Sequence, residues 1–175
     1  MCVYDYPWYT VATMEFYRSE SPTLPPVTAE TPLDASVTLY LRAGAPTAAR
    51  DRQADARARV EALVDAGVLP ALDVSEWPSK AVVPSDGPAD AAVETYDEFR
   101  EAVATRPGVH LDPFFEDRPG VGRSTRIVVL PVVCIAVRRD EELTGLYPCW
   151  NEGSHESVED GLAALESGED VENLA

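Results

Sequence analysis

The sequence has few cysteines and no long apolar run, and both shortages restrict the kind of protein it can be. Cysteine occurs at three positions, Cys2, Cys134 and Cys149. An odd number of cysteines at such wide spacing excludes the disulfide framework of a small secreted domain. No run of about 18 apolar residues is present, so we expect no membrane-spanning helix and no membrane partner. Residues 1–7 lack the basic and apolar regions of a secretory signal, so we expect no secretion.

Positive charge is also scarce. The chain has 14 lysine and arginine residues, of which Lys80 is the single lysine, against 31 aspartate and glutamate residues, and its formal net charge is -17 at pH 7. This balance argues against nucleic-acid binding through phosphate neutralisation, although screening in brine weakens the objection. Such a surface repels itself in dilute buffer, but at molar salt the Debye length is only ~3 Å. The composition is therefore typical of a cytoplasmic protein of an extreme halophile, the alternative being an acidic protein of an ordinary cell.

The chain length of 175 residues and the hydrophobic content of 45% suit one folded domain with an appendage. We predict an extension over residues 1–35, a single α/β domain over 36–168 and an acidic tail over 169–175. The extension begins with a cluster of aromatic residues and continues with several prolines, which indicates a poorly ordered segment. The alternatives are that its aromatic part docks on the domain, or that Met14 is the true first residue of the protein.

Hydrophobic periodicity predicts the element order β-α-β-α-β-β-α. Strict alternation over 37–41 indicates a strand, and helical spacing after the predicted N-cap Thr47 indicates a helix that stops at Gly67. The other predicted elements are, in chain order, a strand over 71–77 with a continuation over 81–83, a helix from Val93 that ends near Gly108, a loop over 110–124, a buried strand over 127–137, a strand over 143–149 and a helix over 157–168. We therefore predict a mixed four-stranded sheet with three helices, built from a right-handed parallel crossover and an antiparallel hairpin.

This order resembles the thioredoxin-like fold over residues 36–168. Thioredoxin-like proteins carry a cis-proline at the entry to the third core strand, and Pro131 stands at the corresponding place, so the resemblance implies a cis peptide bond before Pro131. Thioredoxins also place a Cys-x-x-Cys motif where the first strand meets the first helix, since the helix N-terminus there lowers the thiol pKa. The junction here, residues 44–47, contains no cysteine. The resemblance therefore implies the architecture without oxidoreductase activity.

Several short segments of the sequence also resemble those of a family of uncharacterised haloarchaeal proteins. They are VTLYLR at 37–42, LDPFFE at 111–116, VLPVVC at 129–134, YPC at 147–149 and SVED at 157–160. Members of that family are sometimes labelled helix-turn-helix proteins, so the resemblance implies a DNA-binding transcriptional regulator as an alternative function. It implies no established activity and no catalytic residues.

Cys134 and Cys149 are the candidate redox residues. If the hairpin turn centres on residues 141–142, the two cysteines face each other on neighbouring strands, with Cα atoms ~4.5–5.5 Å apart and within disulfide reach. The functional hypothesis is a redox-switchable thiol pair. We expect the alternative, two small buried residues that the cytosol keeps reduced.

Metal binding is not expected. Cys134, Cys149 and His155 are possible ligands, but zinc sites normally show paired ligands at close spacing, and none is present here. We also expect no cofactor, and the sequence contains no arrangement that predicts a catalytic nucleophile with its base.

The arginines of the first predicted helix are candidates for a local basic patch. They are Arg50, Arg52, Arg57 and Arg59. However, Asp55 precedes Arg59 by four residues and Arg57 precedes Glu61 by four. This spacing favours ion pairs along the helix surface over a patch that binds nucleic acid.

We predict a non-catalytic cytoplasmic interaction or regulatory module that binds a protein partner, because the reactive corner of its predicted fold has no cysteine. Trp77 and Trp150, or the aromatic residues of the extension, are possible anchors for that partner, and core positions are the alternative for both tryptophans. A thiol redox protein that uses Cys134 and Cys149 is the second hypothesis. A DNA-binding regulator is the third, and it requires two helices joined by a short turn with a basic outer face.

Overall fold

The computed structural model describes residues 24–83, 90–120, 126–169 and 171–175. Within these ranges the elements are, in chain order, β1 (Ser36–Arg42), α1 (Thr47–Asp65), β2 (Leu72–Trp77), β3 (Lys80–Val83), α2 (Ala91–Ala104), β4 (Val109–His110), β5 (Glu116–Pro119), β6 (Arg126–Val129), β7 (Val133–Arg139), β8 (Glu142–Tyr147), β9 (Cys149–Asn151), β10 (Ser154–Glu156) and α3 (Val158–Ser167). Cys2, Met14 and the aromatic cluster of the extension lie outside the described residues.

The main sheet has four strands in the order β2-β1-β7-β8. β1 is parallel to β2 and antiparallel to β7, and β7 forms an antiparallel hairpin with β8. α1 connects the two parallel strands as their crossover. The predicted fold class, a mixed four-stranded sheet with three helices, is confirmed.

The sheet lies between two helical layers. Val133, Ile135 and Val137 of β7 join the buried cluster that α1 and α3 form on one face. The alternate residues Cys134 and Ala136 join the cluster that α2 forms on the other face. Because successive side chains of a strand point to opposite faces, a strand covered on both sides is apolar at every position.

The predicted strand over 127–137 is two strands in the structure. β6 pairs with β3 and β5 in a separate three-stranded sheet, whereas β7 belongs to the main sheet. Residues 130–132, the link between them, contain Pro131, which has no N–H to donate to a ladder. The apolar sequence continues through the link because β6 is half-buried and most of β7 is buried, so hydrophobicity alone does not show the break.

Two predictions about neighbouring segments were also wrong. The loop predicted over 110–124 contains β5, and the strand predicted over 143–149 ends at Tyr147, after which β9 pairs with β10 and β4. The cis peptide bonds among the described residues precede Pro113 and Pro148, and the bond before Pro131 is not one of them. Pro131 lacks a backbone N–H, and because it lies in the link between the two strands, neither ladder loses a hydrogen bond there.

Residues 24–35 of the extension and the described part of the tail contact the domain through backbone hydrogen bonds. The backbone N–H of Ala29 donates to the carbonyl of Glu166 at 2.9 Å. Leu33 donates in the same way to Val68 at 2.7 Å. In the tail, Leu174 is buried and its N–H donates to the carbonyl of Thr144 at 2.9 Å. Both segments therefore help to close the core on the α1 and α3 side and at the β8 edge.

The helix ends follow the predicted signals in part. Ser157 and Asp160 form the predicted capping box at the start of α3, and Gly168 ends this helix with φ of 75°. Pro46, not the predicted Thr47, is the N-cap residue of α1, and it has no side-chain capping hydrogen bond. No helix in the described ranges is long and apolar enough to cross a membrane.

Candidate functional site

An open groove of about 480 Å³ lies beside the first turns of α1. We name it the α1–α3 groove, because the start of α3 forms its opposite wall. Its apolar lining consists of Ala56, Phe114, Pro131, Val132, Val133, Pro148, Val158 and Leu162, and its charged or polar rim includes Asp51, Arg52, Asp55, His155, Ser157 and Glu159. Three carboxylates against one guanidinium make the rim acidic. The groove can hold an apolar group whose neighbours carry positive charge.

The link 130–132 forms part of the groove wall, and hydrogen bonds from two buried side chains and one half-buried side chain hold its backbone in place. The Arg42 guanidinium donates to the carbonyl of Leu130. The Trp77 indole N–H donates to the carbonyl of Pro131 at 3.1 Å, and the Gln53 amide donates to the carbonyl of Val132 at 3.0 Å. Gln53 also donates to the carbonyl of Arg42 at 3.0 Å, which ties α1 to β1. These carbonyls already accept internal hydrogen bonds, so the wall presents apolar side chains to a ligand.

Sequence reasoning missed Arg42 and Gln53. Gln53 is 9% exposed although it lies on a helix with many charged residues. A polar residue on the buried face of an amphipathic helix is the signal that identifies such a position, since a buried amide needs partners. Trp77 is 2% exposed and stacks on Tyr40 at 4.8 Å between ring centroids, so its core alternative is correct.

The two candidate redox cysteines are not opposite each other. Cys134 pairs with Tyr40 of β1, and Cys149 lies in β9 opposite Glu156. The hairpin turn centres on residues 140–141, where both φ angles are positive, and a register shift follows at Val137. The prediction placed the turn one residue later and did not include the shift, so the predicted cross-strand opposition was wrong.

Both thiols are buried and free. Burial raises the pKa of the Cys134 thiol well above its usual range. Burial, assisted by the carboxylate of Glu156, raises the pKa of Cys149 to about 12. These two thiols are therefore protonated at neutral pH and lack the exposed thiolate that redox chemistry uses.

Two of the four arginines of α1 pair with carboxylates. Arg57 contacts Glu61 at 2.8 Å and Arg59 contacts Asp55 at 4.0 Å, which confirms both predicted helix-surface pairs. Arg59 also forms a pair of hydrogen bonds to Glu166 of α3, at 2.7 and 2.8 Å. In the described ranges, no group of three or more His, Cys, Asp or Glu side chains is arranged to hold a metal ion.

A family model described as a helix-turn-helix domain matches residues 29–170. Because the match spans most of the chain, the protein belongs to this helix-turn-helix domain family. No curated protein and no solved structure matches the chain.

The helices of the described residues are not arranged as a compact helix-turn-helix unit. α1 ends at Asp65 and α2 begins at Ala91, with β2 and β3 between them. The two helices also pack on opposite faces of the main sheet. A recognition helix that enters a DNA groove is normally joined to its supporting helix by a turn of about three or four residues. Family membership therefore comes without that geometry in the part of the chain that the structure describes.

Proposed function

We propose that this protein is a non-catalytic regulatory module that binds a protein partner through the α1–α3 groove. The observation that supports the proposal most is the composition of the groove, which combines an apolar lining with an acidic rim and a wall whose carbonyls are already bonded. Specific recognition surfaces commonly combine an apolar centre with a polar rim. Cys134 and Cys149, the candidate redox residues, lie in the core and are not among the groove residues.

We also propose a thioredoxin-like relationship and a halophilic, cytoplasmic setting. The strand order β2-β1-β7-β8, with α1 as the crossover, supports the relationship. The groove lies between the first turns of α1 and the link before β7. If the relationship holds, these two segments correspond to the positions of the Cys-x-x-Cys motif and the cis-proline in thioredoxins. The net charge of -17 supports the halophilic setting.

Site-specific photocrosslinking tests the proposed function. A photoreactive benzoylphenylalanine replaces either Val132, in the groove, or Glu101, an exposed residue of α2 that serves as the control. We expect a discrete adduct from position 132 in cells and none from position 101. We then expect the partner identified in this adduct, purified separately, to bind the chain that carries no benzoylphenylalanine.

The matched variants are Val158→Asp and Val82→Asp. Val158→Asp places a charge in the groove, and an acid in the first turn of α3 is compatible with the helix dipole. Val82→Asp places the same charge at a valine that is 54% exposed and not among the groove residues. We expect the first variant to weaken binding of the purified partner at least tenfold and the second to leave it unchanged. Equal effects of the two variants, or adducts from both crosslinking positions, contradict the proposal.

A DNA-binding regulator is the second candidate, because membership of a helix-turn-helix domain family favours it. Fluorescence anisotropy with sheared genomic DNA at about 1 M KCl separates the candidates, since long-range attraction is screened there. The regulatory-module proposal predicts no binding in that salt. Binding that persists and is lost in an Arg50→Glu/Arg52→Glu double variant supports the DNA-binding candidate.

A further inference from the structure

Three exposed rings lie side by side on the outer face of the small sheet formed by β4, β9 and β10. Trp150 of β9 is directly opposite His110 of β4 on one side and directly opposite His155 of β10 on the other. Residues paired in this way project from the same face with Cβ atoms about 4.5–5.5 Å apart. Both histidines of the chain therefore flank one tryptophan, which is 37% exposed. We name His110, Trp150 and His155 the ring ladder.

The inner face of the same sheet explains why the rings point outwards. Val109 and Cys149, which alternate with the ladder residues, are buried in the core. Alternation along each strand then leaves positions 110 and 150 on the solvent side. The strand register therefore places the ladder on the outer face of the sheet.

Phe114 connects the ladder to the α1–α3 groove. Its ring stacks on His155 with centroids 4.7 Å apart and an angle of 19° between the planes. Phe114 and His155 also line the groove. Ladder and groove therefore form one continuous surface, with aromatic faces at one end and aliphatic side chains at the other.

Negative charge surrounds this surface. Asp51, Asp55 and Glu159 stand on the groove rim with Arg52 as the one arginine among the groove residues. Asp160 also lies near the ladder, because it lines the same pocket as His155 beside the start of α3. From residue 140 to the end of the chain there are acids but no lysine or arginine. A cation that approaches the ladder meets ring faces and carboxylates together.

We propose that the ring ladder recognises arginine side chains in an extended segment of the protein partner, while apolar residues of that segment occupy the groove. The inference rests on the proposed function. A guanidinium is planar, stacks on aromatic faces and pairs with carboxylates, and tryptophan is the best aromatic partner for a cation. A second copy of this acidic chain is a poor occupant, because its like charge opposes the contact. Single-stranded nucleic acid would also stack on rings, but its phosphates would meet the carboxylates.

Nuclear magnetic resonance of the full chain tests the proposal through the indole N–H of Trp150. The probes are three acetylated and amidated pentapeptides of sequence Ala-X-Val-X-Ala, in which X is arginine, lysine or glutamate. Titrations in about 1 M KCl screen long-range attraction and retain stacking. We expect the arginine peptide to shift the Trp150 indole signal, the lysine peptide to bind more weakly, and the glutamate peptide to cause no shift.

The variant Trp150→Ala and its control Val74→Ala separate stacking from general attraction. Trp150 and Val74 are similarly exposed, at 37% and 39%, but Val74 lies on β2 and outside the ladder. We expect Trp150→Ala to weaken arginine-peptide binding, followed through backbone amide signals, about two- to fivefold, the range of an exposed cation–π contact. Val74→Ala is expected to leave the affinity unchanged.

Three results overturn the inference: equal affinities of the arginine and lysine peptides, no effect of Trp150→Ala, or a shift of the Trp150 indole by oligothymidine instead of the arginine peptide. The crosslinks from position 132 report on the groove independently. If those adducts form and the peptide results fail, arginine recognition is wrong and the proposed function stands. If the adducts are absent, the proposed function is wrong as well.

Discussion

Arg59 and Glu166 form an ion pair that differs in burial from the other helix-surface pairs of α1. Their side chains are 11% and 10% exposed, whereas Arg57 and Glu61 are 54% and 51% exposed. The guanidinium donates two parallel hydrogen bonds to the carboxylate, which joins α1 to α3. Since these helices form two walls of the α1–α3 groove, the pair links those two walls.

Replacing Arg59 by alanine is expected to lower the free energy of unfolding by about 3 kcal/mol, because the carboxylate of Glu166 stays buried without its partner. Arg57→Ala is the matched control, with an expected loss below about 1 kcal/mol, since exposed ion pairs contribute little. Denaturant unfolding of both variants at one fixed salt concentration measures the difference. Equal losses would mean that the Arg59 pair is not a clamp between the helices.

The thiols of Cys134 and Cys149 provide a second test at the residue scale. In a Cys2→Ser background we expect no fast reaction with a thiol reagent in the native state and two reactive thiols after unfolding, with or without reductant. Burial and the raised pKa values are the physical reasons. Fast labelling of the native protein, or a yield that depends on reductant, would support the redox hypothesis instead.

The same thiols predict how stability depends on alkaline pH. A thiol whose pKa is raised in the folded state contributes stability that is complete below its unfolded pKa, about 8.5, and is lost as pH rises above it. For Cys149 the loss continues towards the folded pKa of about 12. We expect the free energy of unfolding to fall by about 1.4 kcal/mol per pH unit for each such thiol. Cys149→Ala is expected to show a shallower fall between pH ~9 and ~11, and an unchanged slope would contradict this origin.

At the scale of elements, α3 packs on β8 without intervening space. A Cβ atom added at Gly161 of α3 would lie 2.6 Å from the ring of Tyr147, so the glycine permits the close approach. The capping box at Ser157 and Asp160 starts the helix beside the groove. Helix and strand together set the position of Val158 in the groove wall.

Gly161→Ala is expected to destabilise the fold by about 1–3 kcal/mol, although alanine favours helices, because the added methyl group overlaps a buried ring. The control Ala163→Ser changes an exposed position of the same helix and is expected to alter the free energy of unfolding by less than about 0.5 kcal/mol. Thermal or denaturant unfolding compares the two. A stabilised Gly161→Ala protein would show that α3 does not approach β8 so closely.

Local signals predicted the elements whose causes are local. Alternation identified β1 and β2, and the capping box and Gly168 marked both ends of α3. The division of residues 126–139 into β6 and β7 has a different cause, because each half pairs with strands that are distant in sequence. The predicted register of the β7–β8 hairpin was wrong for a related reason. Moving the turn by one residue, or shifting the register once, changes which side chains face each other across the two strands.

At the scale of the whole molecule, the candidate site combines segments from five parts of the chain, and this explains why sequence reasoning did not find it. The groove needs α1, the region of Phe114, the link with the start of β7, Pro148 and the start of α3 with the residues before it to meet. The ring ladder needs two strand pairings across β9. The sequence did identify Trp150 as a possible anchor for a partner.

The balance of charge also acts at this scale. With a net charge of -17, self-repulsion opposes the compact state in dilute buffer and is screened by salt.

The central claim is that the α1–α3 groove binds the partner. Its most direct test is amide hydrogen exchange of the full chain, measured with and without the purified partner that crosslinking identifies. The account predicts slower exchange at Val133 and in the first turns of α3, over 158–162, and at the ladder residues 150 and 155. It predicts no change along α2, which packs on the opposite face of the sheet. Protection confined to α2 or to the β2 edge, with the groove unaffected, would contradict the account.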